Sequence, residues 1–254
     1  VSTIDRALTL VEQIVERPMK LQEIAKELDV HKSSASRIVK VLEKHKFLKT
    51  ENGVIYPGYG ILQLAYLINE KLDIRNIARN HIEHLGEVTR GTIHLCILDG
   101  NEVVYIDKKD SPYPVRMHSR IGNRGPVYCT GVGKAILAYL PENEVEKLMN
   151  SITFNSFTKT TIDNREDLLK ELASIKESSI SIDNGEHEES VRCIAAPIFN
   201  FERKPVAAIS ISYTTTRNTL EDLFQYRSLL LETTKAISAE LGFVPSLTEM
   251  VNKY

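Results

Sequence analysis

The sequence predicts an α+β protein of two domains. A winged helix-turn-helix comes first, followed by a domain of antiparallel sheet flanked by helices. Three observations predict it. Over residues 21–45, apolar residues recur at helical spacing on both sides of a short polar break. A Glu51-Asn52-Gly53 turn then joins two short strand-like runs. From Thr92 onward, runs of strand character joined by short turns are mixed with helical stretches.

A first helix over 3–16 brings Ile4, Ala7, Leu8, Val11 and Val15 to one face, which should pack on the winged module. Leu21, Ile24, Ala25 and Leu28 mark the second helix, and Asp29-Val30-His31 interrupts it. The third, over 32–45, turns Ala35, Ile38, Val39 and Leu42 inward and Lys32, Ser33, Ser34, Ser36, Arg37 and Lys40 outward. Residues 47–50 and 54–56 form a hairpin, since Asn-Gly supplies the positive φ of its turn. Helix, turn, helix and hairpin in that order make a winged helix-turn-helix, whose second helix is shaped to enter a DNA major groove.

The predicted domains are residues 1–58 for DNA binding, 59–73 as a connecting helix and 74–254 for the larger domain. Ile61, Leu62, Leu64, Ala65 and Leu67 make the connector helical, and Asp73 is an N-cap for the next helix, which ends before Gly91. No Pro/Ser-rich stretch separates the two parts, so the joint should be helical. Strands follow at 92–98 and 103–107 around Asp99-Gly100, with a third at 115–119. Helices are predicted at 131–140, 142–149 and 165–177, strands at 180–183, 193–199 and 206–213, and one long helix at 219–241.

Charge separates the two parts. The 254-residue chain has a formal net charge of −2. Between His31 and Lys49, however, stand six cations (Lys32, Arg37, Lys40, Lys44, Lys46, Lys49) against Glu43 alone. A basic helix by itself is as readily a solvated face; with the turn and the wing it fits a phosphate backbone, with Lys49 and the wing on phosphate. Arg37 is the expected base reader, because a guanidinium can bridge guanine O6 and N7. His31 and His45 are expected at solvent or phosphate.

Composition excludes other classes. Hydrophobic residues at 42% with 26% charged describe a globular chain. No apolar run approaches the roughly 18 residues of a membrane span. Val1-Ser2-Thr3-Ile4-Asp5-Arg6 lacks signal-peptide character. Cys96, Cys129 and Cys193, odd in number and widely spaced, fit free thiols of a reducing, cytoplasmic compartment.

The larger domain has features suited to a small anion. In Tyr128-Cys129-Thr130-Gly131-Val132-Gly133-Lys134-Ala135-Ile136, Thr130 can cap a helix whose first amides suit a carboxylate or phosphate. Gly131 and Gly133 would let a ligand approach the backbone; close packing is the alternative reason for both. The spacing is not that of a nucleotide P-loop. Strand alternation puts Ala208, Ser210 and Ser212 on one face, for a polar ligand or, on an edge strand, for solvent. Asp183, at a strand end, can meet a ligand hydroxyl. No Cys/His pair has metal-ligand spacing and no nucleophile turn appears, so no catalytic residue, metal or cofactor is expected, and His94 should serve core hydrogen bonding.

With those residues identified, the chain resembles the IclR family of bacterial transcription regulators over essentially its whole length. Ala25, then His31-Lys32-Ser33-Ser34-Ala35-Ser36-Arg37, then Leu42-Glu43 resemble its DNA-reading segment. Asp183-x2-Glu186-x6-Cys193-Ile194-Ala195-Ala196-Pro197-Ile198-Phe199-Asn200 is similar to its signature region. Within the family it most resembles repressors that sense 2-keto-3-deoxygluconate, through Thr92-Ile93-His94-Leu95, Val104-Tyr105-Ile106, the run from Arg116 to Gly122, and Ser210-Ile211-Ser212.

The resemblance implies a GAF-like effector domain and a repressor that binds operator DNA as a dimer or dimer of dimers. It implies that a keto acid is held at Gly131, Val132, Asp183, Cys193, Ser210 and Ser212, with Met117 and Val191 as apolar wall. Alternatives are a different carboxylate effector (pyruvate, glyoxylate or an aromatic acid) and, more distantly, an enzyme using the Asp183/Cys193 pocket. The chain departs from the family where Ser179, Asp29 and Lys46 replace glycines. A helix ending in left-handed backbone at Ser179 would lose up to ~1 kcal/mol without Gly.

Overall fold

Helix α1 (Thr3–Glu16) starts behind Ser2, whose side chain accepts the Asp5 N–H as an N-cap. The computed structural model describes residues 2–69, 73–114, 117–216 and 219–245. Contacts divide the chain into two compact units, Val1–Leu72 and Asp73–Tyr254.

In the first unit α1 is followed by β1 (Met19–Lys20), α2 (Leu21–Glu27), α3 (Lys32–Lys44), β2 (Leu48–Glu51), β3 (Val54–Pro57) and α4 (Tyr59–Asn69). The three strands form an antiparallel sheet in the order β1-β3-β2, with Met19 opposite Ile55. Two residues are too few for a periodic signal, so β1 has no counterpart among the predicted strands. Leu10, Ile14, Met19, Ile24, Ala35, Ile38, Leu48 and Ile55 make the core.

The predicted inner face of α1 is corrected. Ile4, Leu8 and Val15 are exposed, while Leu10 and Ile14 are fully buried. The helix carries two apolar stripes, and periodicity alone does not say which meets a neighbour. Asp29 and Lys46 adopt φ of +47° and +61° as α2 and α3 end.

The second unit holds α5 (Ile74–Thr89), β4 (Thr92–Asp99), β5 (Glu102–Lys109), β6 (Arg124–Pro126), α6 (Gly131–Leu137), α7 (Glu142–Ser151) and α8 (Arg165–Ser178). It continues through β7 (Ser181–Asn184), β8 (Val191–Phe199), β9 (Pro205–Thr214), α9 (Leu220–Phe224) and α10 (Arg227–Glu240). Asp73 caps α5 by accepting the Arg75 N–H. Six strands form one antiparallel sheet in the order β6-β5-β4-β9-β8-β7. Helices pack on it, making the α+β architecture expected, with an N-terminal helix-turn-helix ahead of it.

Three elements differ from expectation. The long helix at 219–241 is two helices, because the Tyr226 N–H bonds back to Leu223 O in a tight turn. Leu223, Leu230 and Ile237 stay buried across that turn, so the apolar spacing reads as continuous. Helix α6 stops at Leu137, short of 140. Of the strand predicted at 115–119, Val115 and Arg116 lie outside the described residues, and Met117 to Ser119 carry no strand. The strand that pairs with β5 on the side away from β4 is β6, with Gly125 opposite Val103.

Candidate ligand cavity and nucleic-acid surface

Sheet register assembles the cavity. Asp183 lies opposite Cys193, Cys193 opposite Ser212, and Ser212 opposite Thr92, so one row crosses four strands. The next row runs Ser181, Ala195, Ser210, His94. Both rows face the same side, because residues two apart on a strand share a face. The isoleucines between them, Ile209 and Ile211, are buried on the other side. Strand β9 is central, so solvation at an edge does not account for Ser210 and Ser212, each 3% exposed.

Helix α6 starts over this polar rung. Thr130 caps it, its hydroxyl donating to Pro126 O at 2.8 Å and accepting from Gly133 N at 3.3 Å. A Cβ on Gly131 would sit 2.6 Å from Cys193 Sγ, and one on Gly133 only 2.2 Å from Val127 O. Close packing therefore accounts for both glycines, and only Gly131 also lines the cavity.

All eight residues predicted to hold a ligand (Met117, Gly131, Val132, Asp183, Val191, Cys193, Ser210 and Ser212) line one cavity of about 40 Å³. That is room for about three waters. Sequence reasoning left out His94, Tyr105, Ser119, Thr130, His187 and Glu188, which line it too. His94 does have the hydrogen bonds expected of a core residue: Nδ1 lies 3.3 Å from Ser210 Oγ and 3.4 Å from Ser212 Oγ, and Nε2 lies 2.8 Å from Ser119 Oγ. Its place on the polar rung, directly across from Ser210, is the signal that pairing the two strands would have exposed. Burial, and then Lys108, lower its pKa to about 3, so the ring is neutral.

Behind the cavity lies a buried charge cluster that the sequence did not announce. Lys134, wholly buried, reaches Glu186 Oε1 at 2.5 Å and Glu171 Oε1 at 3.1 Å. Burial works against the Lys134 ammonium, yet the two carboxylates outweigh it and its pKa is raised. One cation faces three acids, however. Burial pushes Glu186 up to about 7 against the pull of Lys134, with Asp183 and Glu171 adding to the rise. Asp183 is also raised, chiefly by burial, although its Oδ1 accepts the Glu186 N–H at 2.7 Å. Burial likewise raises the Cys193 thiol, which stays protonated. A lysine within the apolar run of α6 was the available clue.

The Glu186 loop is clasped from outside. Thr158 Oγ1 donates to Gly185 O at 2.6 Å and Thr161 Oγ1 to Glu186 O at 2.6 Å. Ser179 ends α8 at φ +60°, the left-handed conformation in which a residue other than glycine costs up to ~1 kcal/mol.

On the first unit, Lys32, Ser33, Ser34, Arg37 and Lys40 are exposed along α3, and Ser36 is half-buried. His31 is committed to the helix: its Nδ1 caps α3, accepting from Ser33 N and meeting Ser33 Oγ at 2.9 Å. Thr50 donates to Glu43 at 2.5 Å, which engages the acid of the basic run. Lys49 pairs with Glu51 at 2.9 Å and lies over the Tyr56 and Tyr59 rings. Lys32, Arg37 and Lys40 have no ion pair among the described residues. Among the described residues, no helix is long and apolar enough to cross a membrane, and no three His, Cys, Asp or Glu side chains gather as a metal site.

Comparison with known proteins matches residues 3–52 to the IclR helix-turn-helix domain and residues 66–239 to the bacterial transcriptional regulator IclR C-terminal family. The Escherichia coli HTH-type transcriptional regulator XynR is 33% identical, covering 96% of this chain and 98% of that protein. The E. coli HTH-type transcriptional regulator KdgR is 32% identical over 90% of this chain and 88% of its own length. Among solved structures, the Thermotoga maritima IclR superposes with a TM-score of 0.65 at 32% identity, covering 95% of this chain and 99% of that one.

Proposed function

The chain belongs to the IclR family of bacterial transcriptional regulators, and from that membership we propose a repressor whose cavity holds the head of a small keto or sugar acid, 2-keto-3-deoxygluconate first. The convergence of Gly131, Val132, Asp183, Cys193, Ser210 and Ser212 on one cavity carries the reading. The Gly131 and Val132 amides, at the positive end of α6, meet the carboxylate. Ser210, Ser212 and neutral His94 offer hydrogen bonds to a keto oxygen, and Asp183 accepts from a hydroxyl. Among the described residues no Lys or Arg lines the cavity, so the amides and hydroxyls there stabilise the anion. The protonated Cys193 thiol is a poor nucleophile, which counts against an enzyme at this pocket.

On DNA, Lys32, Ser33, Ser34, Ser36, Arg37 and Lys40 face the major groove, with Arg37 reading a base and Lys49 on phosphate. A dimer, or a dimer of dimers, presents two or more reading helices to the operator. Effector changes DNA affinity only by its differential affinity for two states of the protein.

The test is thermal unfolding of the full chain with 2-keto-3-deoxygluconate, pyruvate or glyoxylate. At about 100 times the dissociation constant, binding adds ~2.7 kcal/mol, a rise of roughly 5–10 °C in Tm for a domain of this size. Release of operator DNA by the same compound completes the reading. No shift with any of the three removes the effector assignment and leaves the DNA reader.

A further inference from the structure

A second cavity adjoins the first. It measures about 230 Å³ and shares two walls with the smaller one, Met117 and Ser212. The sheet explains the continuity. Ser210, Ser212 and Thr214 follow one another along the same face of β9, and Thr92 stands across from Ser212. The polar track that begins at His94 therefore runs on past Ser212 to the end of the strand.

The lining of the second cavity is chemically uniform. Of its nine described lining residues, seven carry a hydroxyl and none carries a charge. Only Pro114 and Met117 lack one. Thr92 Oγ1 accepts from Ser111 N at 3.4 Å, and Thr214 Oγ1 faces Thr216 Oγ1 at 3.3 Å. A hydroxyl has one donor and two acceptor sites, so Thr92 and Thr214 each keep capacity for a further partner. An aromatic tail would leave that spare capacity of Thr92 and Thr214 unanswered, and a second carboxylate would find no cation among the described lining residues.

We propose that this second cavity is the tail subsite of the effector, taking the uncharged polyhydroxy chain of a 2-keto sugar acid whose carboxylate and keto group occupy the first. The inference rests on the effector reading above and adds a length and chemistry requirement to it. The smaller cavity alone holds about three waters, enough for a two- or three-carbon keto acid. A six-carbon acid must extend past Met117, which stands at the junction as the apolar divider between head and tail. Discrimination against pyruvate then comes from the hydroxyl-lined extension, because the two acids present the same head.

Titration calorimetry of the full chain with 2-keto-3-deoxygluconate and with pyruvate tests this, using wild type, Thr214→Val and Thr214→Leu. Thermal melts of the unliganded proteins check that both variants fold. The wild type should bind the sugar acid at least about tenfold more tightly than pyruvate. Thr214→Val, which removes one hydroxyl, should narrow the gap, and Thr214→Leu, which also fills space, should close it. Pyruvate affinity should stay within about twofold throughout. Equal affinities in the wild type, or equal loss of both ligands in the variants, would overturn the tail subsite while keeping the head site. Binding of neither acid would overturn the tail subsite and the effector reading together.

Discussion

In the first unit most of the residues assigned to DNA (Lys32, Ser33, Ser34, Arg37 and Lys40) stand exposed along α3. In the second, those assigned to effector lie on an interior sheet face, with Asp183, Cys193, Ser210 and Ser212 each 3–5% exposed. The reader's groups on α3 lie within nine residues of sequence, and Lys32, Arg37 and Lys40 have no ion pair among the described residues. The sensor's groups come from β7, β8, β9 and the start of α6, and they hold one another. The difference sets what a substitution does. A change on the reader's face should alter binding and leave the fold alone, whereas a change in the sensor's interior must alter both. Each prediction below breaks that contrast if it fails.

The largest effect is expected at Lys134. Removing one partner of a buried ion pair costs ~3–5 kcal/mol, since the other is left charged and unpaired. Lys134→Met should fall toward the lower figure, because Glu186, already raised to about 7, can take up a proton. Urea unfolding measures the loss, and Lys134→Met with Glu186→Gln should recover part of it. A double variant no more stable than the single one would mean that the cluster is held by packing, not charge.

His94 makes the same point through pH. Its folded pKa of about 3 lies below the ordinary 6.5, so the unfolded chain takes the proton first as pH falls. Stability supplied by the neutral ring is therefore lost from pH 6.5 down to about 3. Glu186 acts in the opposite sense between 4.5 and about 7, where the folded state binds the proton more readily. The two offset each other over their shared range. His94→Gln removes the opposing slope and leaves those of Glu186 and Asp183, so from pH 7 to pH 4 the variant should gain about 3 kcal/mol on the wild type. Parallel stability profiles would show that His94 is not desolvated in solution.

Why one region was easier to read than the other follows from the same contrast. The helix over 3–16, the turn before Lys32 and the Asn52-Gly53 hairpin are local patterns, visible in a few consecutive residues. Ser210 and Ser212 were also legible, by alternation within one strand. The place of His94 in the cavity was not, because it depends on which residue of β9 it faces, and pairing is a non-local property. Lys134 was missed for a similar reason: its partners lie 37 and 52 residues away. For Gly133 the sequence leaves ligand access and close packing both open, and the Val127 carbonyl decides for packing, a contact no spacing rule encodes. Cys193, Met117 and Val191 entered only through the resemblance, since nothing in their local sequence marks them.

Arg37→Ala sharpens the contrast from the reader's side. A bidentate contact to guanine is worth ~1–3 kcal/mol of discrimination. The variant should lose that much on its cognate operator, and little beyond one phosphate contact on random DNA of equal length. Its melting temperature should match the wild type, because the side chain is exposed. Equal losses on cognate and random DNA would make Arg37 a phosphate contact and move base reading elsewhere on α3.

The smallest effect is expected at Lys49, and the structure says why. A lysine that neutralises one phosphate contributes about 0.9 to the slope of log K against log salt. Lys49 already pairs with Glu51 and lies over two tyrosine rings, so DNA must compete with partners that are present beforehand. Lys40, exposed and without an ion pair among the described residues, has no such competitor. Lys40→Ala should therefore flatten the salt slope by nearly the full unit, and Lys49→Ala by clearly less, each alike on cognate and random DNA. Glu51→Gln, which frees Lys49, should steepen the slope instead. If Lys49→Ala flattens it as much as Lys40→Ala, the wing lysine leaves Glu51 on binding, and the reader's charges act as one set despite their different partners in the free protein.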